Sequence, residues 1–403
     1  MANILIITNQ IPFPLDHGGR LRIFHLSRQL AKEHACYLAA FNTNGKQLKS
    51  IEQEDIYKKI ELLPCNHGKK YFRRHFRLDE IDFVRYSNPK YFWMIVNTLR
   101  LSIKKNKIDI IFACSPDLAG YCKPIKKIKK IIDDCDSISL RMERKHDEVY
   151  DNLSWVQKIR ELIMLNRVRR LERDLGKQYN LVTTISPADL ARLYELNIKH
   201  KKKITLLPNG VAPELIANDY GSDEIKNSII FWGVLDFQPN HTAVTYFFKQ
   251  VFLPYLNDKD IKWFIAGRNP SRDILEMGQL YKNITVMGHV DNLFQFAAKV
   301  PIMINPMIMG SGLKNKMLEA FALKRLVISN EMGIEGVVGA VPGIHYIHAE
   351  SPDEIASSIL YYLDTSNSLE RIKTGEQARN LVMDRYTWNK VGTRFIKMVN
   401  LLL

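Results

Sequence analysis

Cysteine is scarce: the 403 residues hold five, Cys36, Cys65, Cys114, Cys122 and Cys135. An odd count at irregular spacing excludes a disulfide framework and fits a reducing compartment. Long apolar runs are missing as well. No stretch reaches the roughly 18 uncharged apolar residues that a spanning helix needs, so an integral helical membrane protein is not expected. The first residues offer only the short apolar run 4–7, without the basic flank of a secretory leader. A cytoplasmic location is the expectation. The G-x-G-x-x-G dinucleotide fingerprint is absent, which argues against a dehydrogenase. Internal repeats, low-complexity tracts and any recognisable RNA- or DNA-binding module are lacking too.

What is present is a basic chain with an uneven charge distribution. The net charge is +15, yet residues 1–210 hold 39 of the 58 Lys and Arg against 23 of the 43 Asp and Glu. The first half therefore carries +16 and the remainder −1. Such asymmetry points to an anionic partner for the first half, whether membrane headgroups, nucleic acid or an acidic substrate. Two segments concentrate it: residues 69–77 interleave cations with aromatics, and residues 123–130 set five lysines around Ile125 and Ile128. Either suits an anionic lipid surface.

A chain of 403 residues exceeds what one core usually organises, so two domains are expected. Short apolar runs at 4–8, 35–41, 108–114, 130–133, 181–185 and 204–207 read as buried parallel strands. Helical stretches lie between them, among them 21–33 and 153–175. The second of these is rich in arginine and is expected to bury its Leu and Ile face in the domain. After Pro208, Asn209 and Gly210 the pattern restarts, with strands at 228–233, 262–267, 284–287, 302–305 and 326–329. A helix starts at Pro239-Asn240 and runs to about Leu253, another covers 352–363, and 217–226 reads as a linker. The fold class that follows is α/β, two doubly wound parallel-sheet domains: 1–212, and 226–385. The amphipathic segment 386–403 is expected to return to the first domain.

Two glycine-bearing turns carry candidate chemistry. The first, residues 12–20, ends in Gly18-Gly19-Arg20 and opens a helix whose N-terminus favours an anion. The second is more specific. Residues 305–320 place Gly310-Ser311-Gly312-Leu313 and then Lys314-Asn315-Lys316 between a strand and a helix, with Glu319 one turn in. Helix amides and the two lysines suit a diphosphate, and a glutamate at that position can accept hydrogen bonds from ribose hydroxyls.

The whole chain resembles the family 4 glycosyltransferases, and most closely a bacterial branch linked to exopolysaccharide and cell-surface sugar assembly. Block 310–319 carries the resemblance, supported by residues 184–186, 208–211, 233–240, 286–290 and 386–388. It implies a GT-B architecture, two Rossmann-like domains facing a cleft, and a retaining transfer of sugar from a nucleoside diphosphate to a lipid-linked or surface glycan. The first domain would bind the acceptor and the second the nucleotide sugar. By the same resemblance Gly18 and Gly19 would lie near the diphosphate or the acceptor, and Met287, Gly288 and His289 would approach the base. Glu319 would hold the ribose. Residues 312–316 would face the phosphates and the transferred sugar.

The family's paired-glutamate motif has Ser311 at its first position, so contact with the sugar falls to the backbone of loop 310–312. A basic pair common after the first strand of the second domain is replaced here by Val234 and its neighbours. Lys314, Lys316 and Arg268 are therefore expected to neutralise the diphosphate. Where many members carry a histidine facing the sugar, this chain has Asp136. Lys314, Lys316 and Asp136 are the catalytic candidates. The triplet Asp134-Cys135-Asp136 would bind a divalent cation in another glycosyltransferase fold, but the GT-B reading supplies charge through lysines and helix termini, so neither a metal nor another cofactor is expected. Peripheral attachment to the inner face of the plasma membrane would follow from a lipid-linked acceptor, and no nucleic-acid partner is expected. The rival readings are a non-catalytic GT-B partner, a basic binder of anionic polymers such as nucleic acid, and a related epimerase or phosphorylase.

Overall fold

The computed structural model describes residues 1–15, 18–41, 45–65, 84–86, 88–149, 154–218, 220 and 223–403. The basic aromatic segment 69–77 lies outside them, as do Asp16 and His17 of the first glycine turn. The chain divides into two compact units, Met1–Pro208 with Val391–Leu403, and Asn209–Lys390. Residues 209–226, the expected linker included, count with the second unit.

The first unit is built on seven strands: β1 Asn3–Thr8, β2 Ala35–Phe41, β3 Lys59–Leu63, β4 Ile110–Ala113, β5 Lys129–Cys135, β6 Leu181–Thr184 and β7 Ile204–Leu206. All pair in parallel, in the order β3-β2-β1-β4-β5-β6-β7. Helices α1 Gly18–Leu30, α2 Pro89–Lys105, α3 Ile138–Val149, α4 Trp155–Gln178 and α5 Pro187–Leu196 belong to the same unit. A central parallel strand must be apolar along its length because helices cover both faces, and every residue of β1 after Asn3 is buried. Local chemistry sets the helix starts. Asn88 and Ser186 cap α2 and α5 ahead of a proline, and Ser154 closes a reciprocal capping box with Gln157 at the head of α4.

The second unit holds six strands: β8 Ser228–Trp232, β9 Lys262–Ala266, β10 Ile284–Gly288, β11 Ile302–Asn305, β12 Leu326–Ser329 and β13 Ile347–His348. These too are parallel, in the order β10-β9-β8-β11-β12-β13. Its helices include α6 Gln238–Tyr246, α7 Asn315–Ala322, α8 Pro352–Leu363 and α9 Ser368–Arg385. Helix α6 starts at Gln238, one residue before the expected Pro239, and does not stop near Leu253. It continues over Phe247–Leu256 as a wider, i→i+5-bonded helix that accommodates Pro254. Trp263 anchors the core between Phe247 and Phe252, at centroid distances of 4.8 and 5.4 Å. Helix α10, Trp388–Asn400, bridges the two parts of the sequence. Its residues from Val391 onward pack with the first unit, where Phe395 meets Phe112 at 5.1 Å.

Two expectations about helices need correction. Gly18 and Gly19 are not a turn before α1 but its first two residues. The opening amides of a helix have no intrahelical partner, so glycine is tolerated there. Helix α4 buries its expected Leu and Ile face only in part, from Leu165 onward. Trp155, Val156, Ile159, Leu162 and Ile163 are all exposed, and the helix is seated instead through Leu165, Val168, Glu172 and Leu175. Among the described residues, no helix is long and apolar enough to cross a membrane.

Candidate functional site

In a doubly wound sheet, ligands bind beyond the carboxyl ends of the strands where the strand order reverses. In the second unit this point lies between β8 and β11, which pair directly while their successors run outward on opposite sides. The residues at those two strand ends are Trp232 and Asn305. The loop after β11 leads into α7, bringing the expected block to this point.

The loop is rigid by construction. Gly310 and Gly312 take positive φ values of 114° and 74°, which a side chain would oppose. Met307, Met309 and Leu313 are buried, and Asn330 Nδ2 donates to the Met307 carbonyl at 2.6 Å. Gly336 closes against Leu313 so tightly that a Cβ there would stand 2.8 Å from the Leu313 Cα. Ser311 is partly exposed within this braced loop.

Lys316 and Glu319 project from one turn of α7 toward the end of β8. Lys316 Nζ donates to Asn240 Oδ1 at 2.7 Å and lies 3.9 Å above the Phe231 ring. Asn240 Nδ2 is itself committed to the Val234 carbonyl at 3.0 Å. Trp232 Nε1 donates to Glu319 Oε2 at 2.8 Å. Burial pulls the Lys316 pKa down to about 7, with Glu319 opposing the fall and Lys314 adding to it. Burial likewise pushes Glu319 above the usual carboxylate range, against the Trp232 hydrogen bond and the Lys316 charge. Lys314 Nζ pairs with Glu335 Oε2 at 3.5 Å, and Asn315 Oδ1 accepts from Asn209 Nδ2 at 2.9 Å.

The neighbouring strand ends line up beside this cluster. A Cβ on Gly267, after β9, would fall 1.7 Å from the Gly233 carbonyl oxygen, so the turns after β8 and β9 are in direct contact. The Arg268 carbonyl accepts from Leu235 N at 2.9 Å, and Gly267 N donates to the Gly288 carbonyl at 2.7 Å. Met287 and Gly288 thus end β10 one strand further out. His289 is exposed, 3.4 Å from Asp291. Of the site residues read from sequence, the structure brings Lys316 and Glu319 together and leaves Met287, Gly288 and His289 at the sheet edge. Trp232, Phe231 and Asn240 were not foreseen as partners of the two charges.

In the first unit Arg22 of α1 meets Asp133 near the end of β5. The guanidinium grips the carboxylate through Nε and Nη2, each at 2.7 Å, and Thr183 Oγ1 adds a third bond at 2.7 Å. Burial works against the Arg22 charge, but Asp133 more than restores it and the pKa lies above the ordinary arginine value. Asp136, just past a left-handed Cys135 (φ 57°), is partly exposed. Residues 123–130 present Lys123, Lys126, Lys127 and Lys129 to solvent, whereas Ile125 is buried and Lys130 Nζ donates to the Cys122 carbonyl at 2.9 Å.

Asp134 does not join Asp136 in a solvent-facing pair. A bulge in β5 between Asp133 and Cys135 leaves Asp134 only 2% exposed, with neither carboxylate oxygen hydrogen-bonded. Glu172 and Asp189 are its charged neighbours, each already held by serines. Burial and then Glu172 and Asp189 raise the Asp134 pKa well above the ordinary carboxylate value. A raised pKa in the fold means stability that is present below the unfolded value and lost as pH rises through the folded one. Asp134→Asn is therefore expected to stabilise the first unit by about 1–3 kcal/mol at pH 8, with the gain vanishing near pH 4. Urea titrations across that range measure it; a destabilisation that grows from pH 4 to pH 8 would show that the carboxylate is ionised and partnered after all.

The family model for group 1 glycosyl transferases matches residues 226–365. No curated protein sequence matches the chain. Among solved structures, HepE of Anabaena in complex with UDP and glucose is similar at a TM-score of 0.67 and 12% identity, covering 99% of this chain and 100% of its own. Sucrose-phosphate synthase from Thermosynechococcus elongatus aligns at 0.69 and 13%, over 100% and 99% of the two chains. A mutant of TarM from S. aureus, in complex with fondaparinux, alpha-GlcNAc-glycerol and UDP, aligns at 0.69 and 12%, over 99% and 100%. At such identities the likeness carries the fold. The chain has the GT-B fold of two parallel-sheet Rossmann-like units, and the match to the group 1 glycosyl transferase model falls within the second.

Proposed function

We propose that this chain is a retaining glycosyltransferase moving a sugar from a nucleoside diphosphate to a lipid-linked or cell-surface glycan. The observation that carries the reading is the pairing of buried Lys316 and half-buried Glu319 on one turn of α7, at the switch point of the unit that the group 1 glycosyl transferase model matches. In this reading the second unit takes the donor. Glu319, fixed by Trp232, accepts from the ribose; loop 310–313, Asn315 and the start of α7 meet the phosphates; Met287, Gly288 and His289 border the base. Lys316, Lys314 and Arg268 stabilise the negative charge that develops on the departing diphosphate, without a metal. The first unit takes the acceptor, with Gly18, Gly19 and Asp136 on its side. Retention follows the front-face route, in which the leaving phosphate accepts the acceptor's proton as the new glycosidic bond forms. A lipid-linked acceptor places the basic first unit at an anionic membrane surface.

UDP is the first nucleotide to test, since HepE and TarM were both crystallised with it. Thermal-shift and calorimetric titration with UDP-, GDP- and TDP-sugars, with and without EDTA, is expected to show stabilisation by one nucleotide, unaltered by chelation and lost in Glu319→Ala. A Lys316 pKa of about 7 adds a signature. A bound diphosphate raises that pKa, so binding at pH 7.5 should take up protons, and affinity should fall as pH climbs above 7. Calorimetry in two buffers of different ionisation enthalpy reads the uptake. Failure of every nucleotide to bind would overturn the donor assignment and favour a non-catalytic role.

A further inference from the structure

Helix α4 presents to solvent the kind of face that soluble helices normally bury. Trp155, Val156, Ile159, Leu162 and Ile163 stand at i, i+1, i+4, i+7 and i+8, a single stripe on a helix of 3.6 residues per turn. Their exposures run from 74% at Trp155 to 36% at Ile163. The inner face is complete without them, filled by Leu165, Val168 and Leu175. Further along, the same outward stripe changes character: Arg167, Arg170, Arg173 and Lys177 succeed the apolar residues, and all four are exposed. One acid, Asp174, falls at the edge of this stripe, at the azimuth of Val156. Of the three acids in α4, Glu172 is buried and Glu161 and Asp174 are half-buried.

We infer that the solvent face of α4 is an interfacial helix that lies in the surface of an anionic lipid bilayer. The apolar stripe enters the headgroup boundary and the four cations stay among the phosphates. The inference rests on the membrane-acceptor reading above and gives it a definite surface and mode, insertion of apolar side chains as well as attraction of charge. The order of the stripe selects this occupant over a second copy of the chain. Two copies packed parallel would set cations against cations, and packed antiparallel would bury each copy's cations against apolar side chains, whereas a bilayer surface offers hydrocarbon and phosphate side by side. The exposed lysines of residues 123–130 add charge, but Ile125 beside them is buried, so that segment offers little to insert.

The test is co-flotation of the full chain with phosphatidylcholine vesicles, with and without about one third phosphatidylglycerol, at physiological salt. Binding is expected only to the anionic vesicles. The paired substitution Ile159→Asp and Leu162→Asp should weaken it at least tenfold, and Arg167→Glu with Arg170→Glu should do the same. Since these side chains are exposed, donor-nucleotide binding by both variants should match the parent and confirm their folding. A Trp155→Phe variant should lose part of the blue shift in fluorescence that vesicles induce in the parent. If the parent floats and the variants float equally well, α4 is not the surface, and the membrane reading survives without it. If the parent does not float, both fall. A concentration-dependent rise in mass that the Asp pair abolishes would assign the stripe to self-association and overturn the lipid assignment.

Discussion

Lys316→Met is expected to lower the transfer rate about 100- to 1000-fold while leaving the protein at least as stable as the parent. The argument begins with burial. The ammonium is closed in by α7, Asn240 and the Phe231 ring, and its depressed pKa shows how poorly the site tolerates a charge without a counter-ion. A group held in that state gains most when negative charge appears beside it, as happens when the glycosidic bond to the diphosphate breaks. Methionine keeps the length of the chain and can still lie on Phe231, so the loss is electrostatic. The fall should be mainly in kcat, with KM changing less, because the charge develops in the transition state. Steady-state assays and a melting curve measure both. A variant active within threefold of the parent would remove Lys316 from the chemistry.

The second large effect concerns the first unit. Arg22→Met should destabilise it by about 3–5 kcal/mol, because Asp133 would keep a buried negative charge with only Thr183 as partner. Arg22 and Asp133 are 1% and 2% exposed, so water cannot take over the lost bonds. The double variant Arg22→Met with Asp133→Leu should recover most of the loss, since removing both charges also removes their desolvation penalty. Urea denaturation of the parent, of each single variant and of the double variant completes the cycle. A single variant that loses less than about 1 kcal/mol would mean that the pair contributes little to stability.

Central strands were readable from composition because both faces are covered and the residues are apolar throughout; 35–41, 302–305 and 326–329 coincide with β2, β11 and β12. Edge strands were not. Lys59–Leu63 interrupts its apolar residues with Lys59 and Glu61 and is partly exposed, and Ile347–His348 is two residues long, so neither leaves a continuous apolar run to find. The site divides in the same way. Lys316 and Glu319 are three residues apart on one helix, so their common face could be read locally. Trp232 and Asn240 reach them from 87 and 76 residues earlier in the chain, a distance that no local pattern spans. Asp134 was read with Asp136 as a D-x-D triplet because the bulge that separates them leaves no mark in the residue types. The apolar side of α4 misled for a plainer reason: periodicity reports that a stripe exists, and here the stripe looks outward.

Helix α10 sets an order for biosynthesis. Phe395 covers Phe112, and Gly392 sits so close to Gln29 of α1 that a Cβ would stand 2.3 Å from the Gln29 side chain. The first unit therefore has a part that leaves the ribosome only after all of Asn209–Lys390 has been made. The unit whose synthesis starts first is completed last. During translation its sheet must wait with that patch of core open, while the second unit, lying in sequence between its two parts, can already have folded.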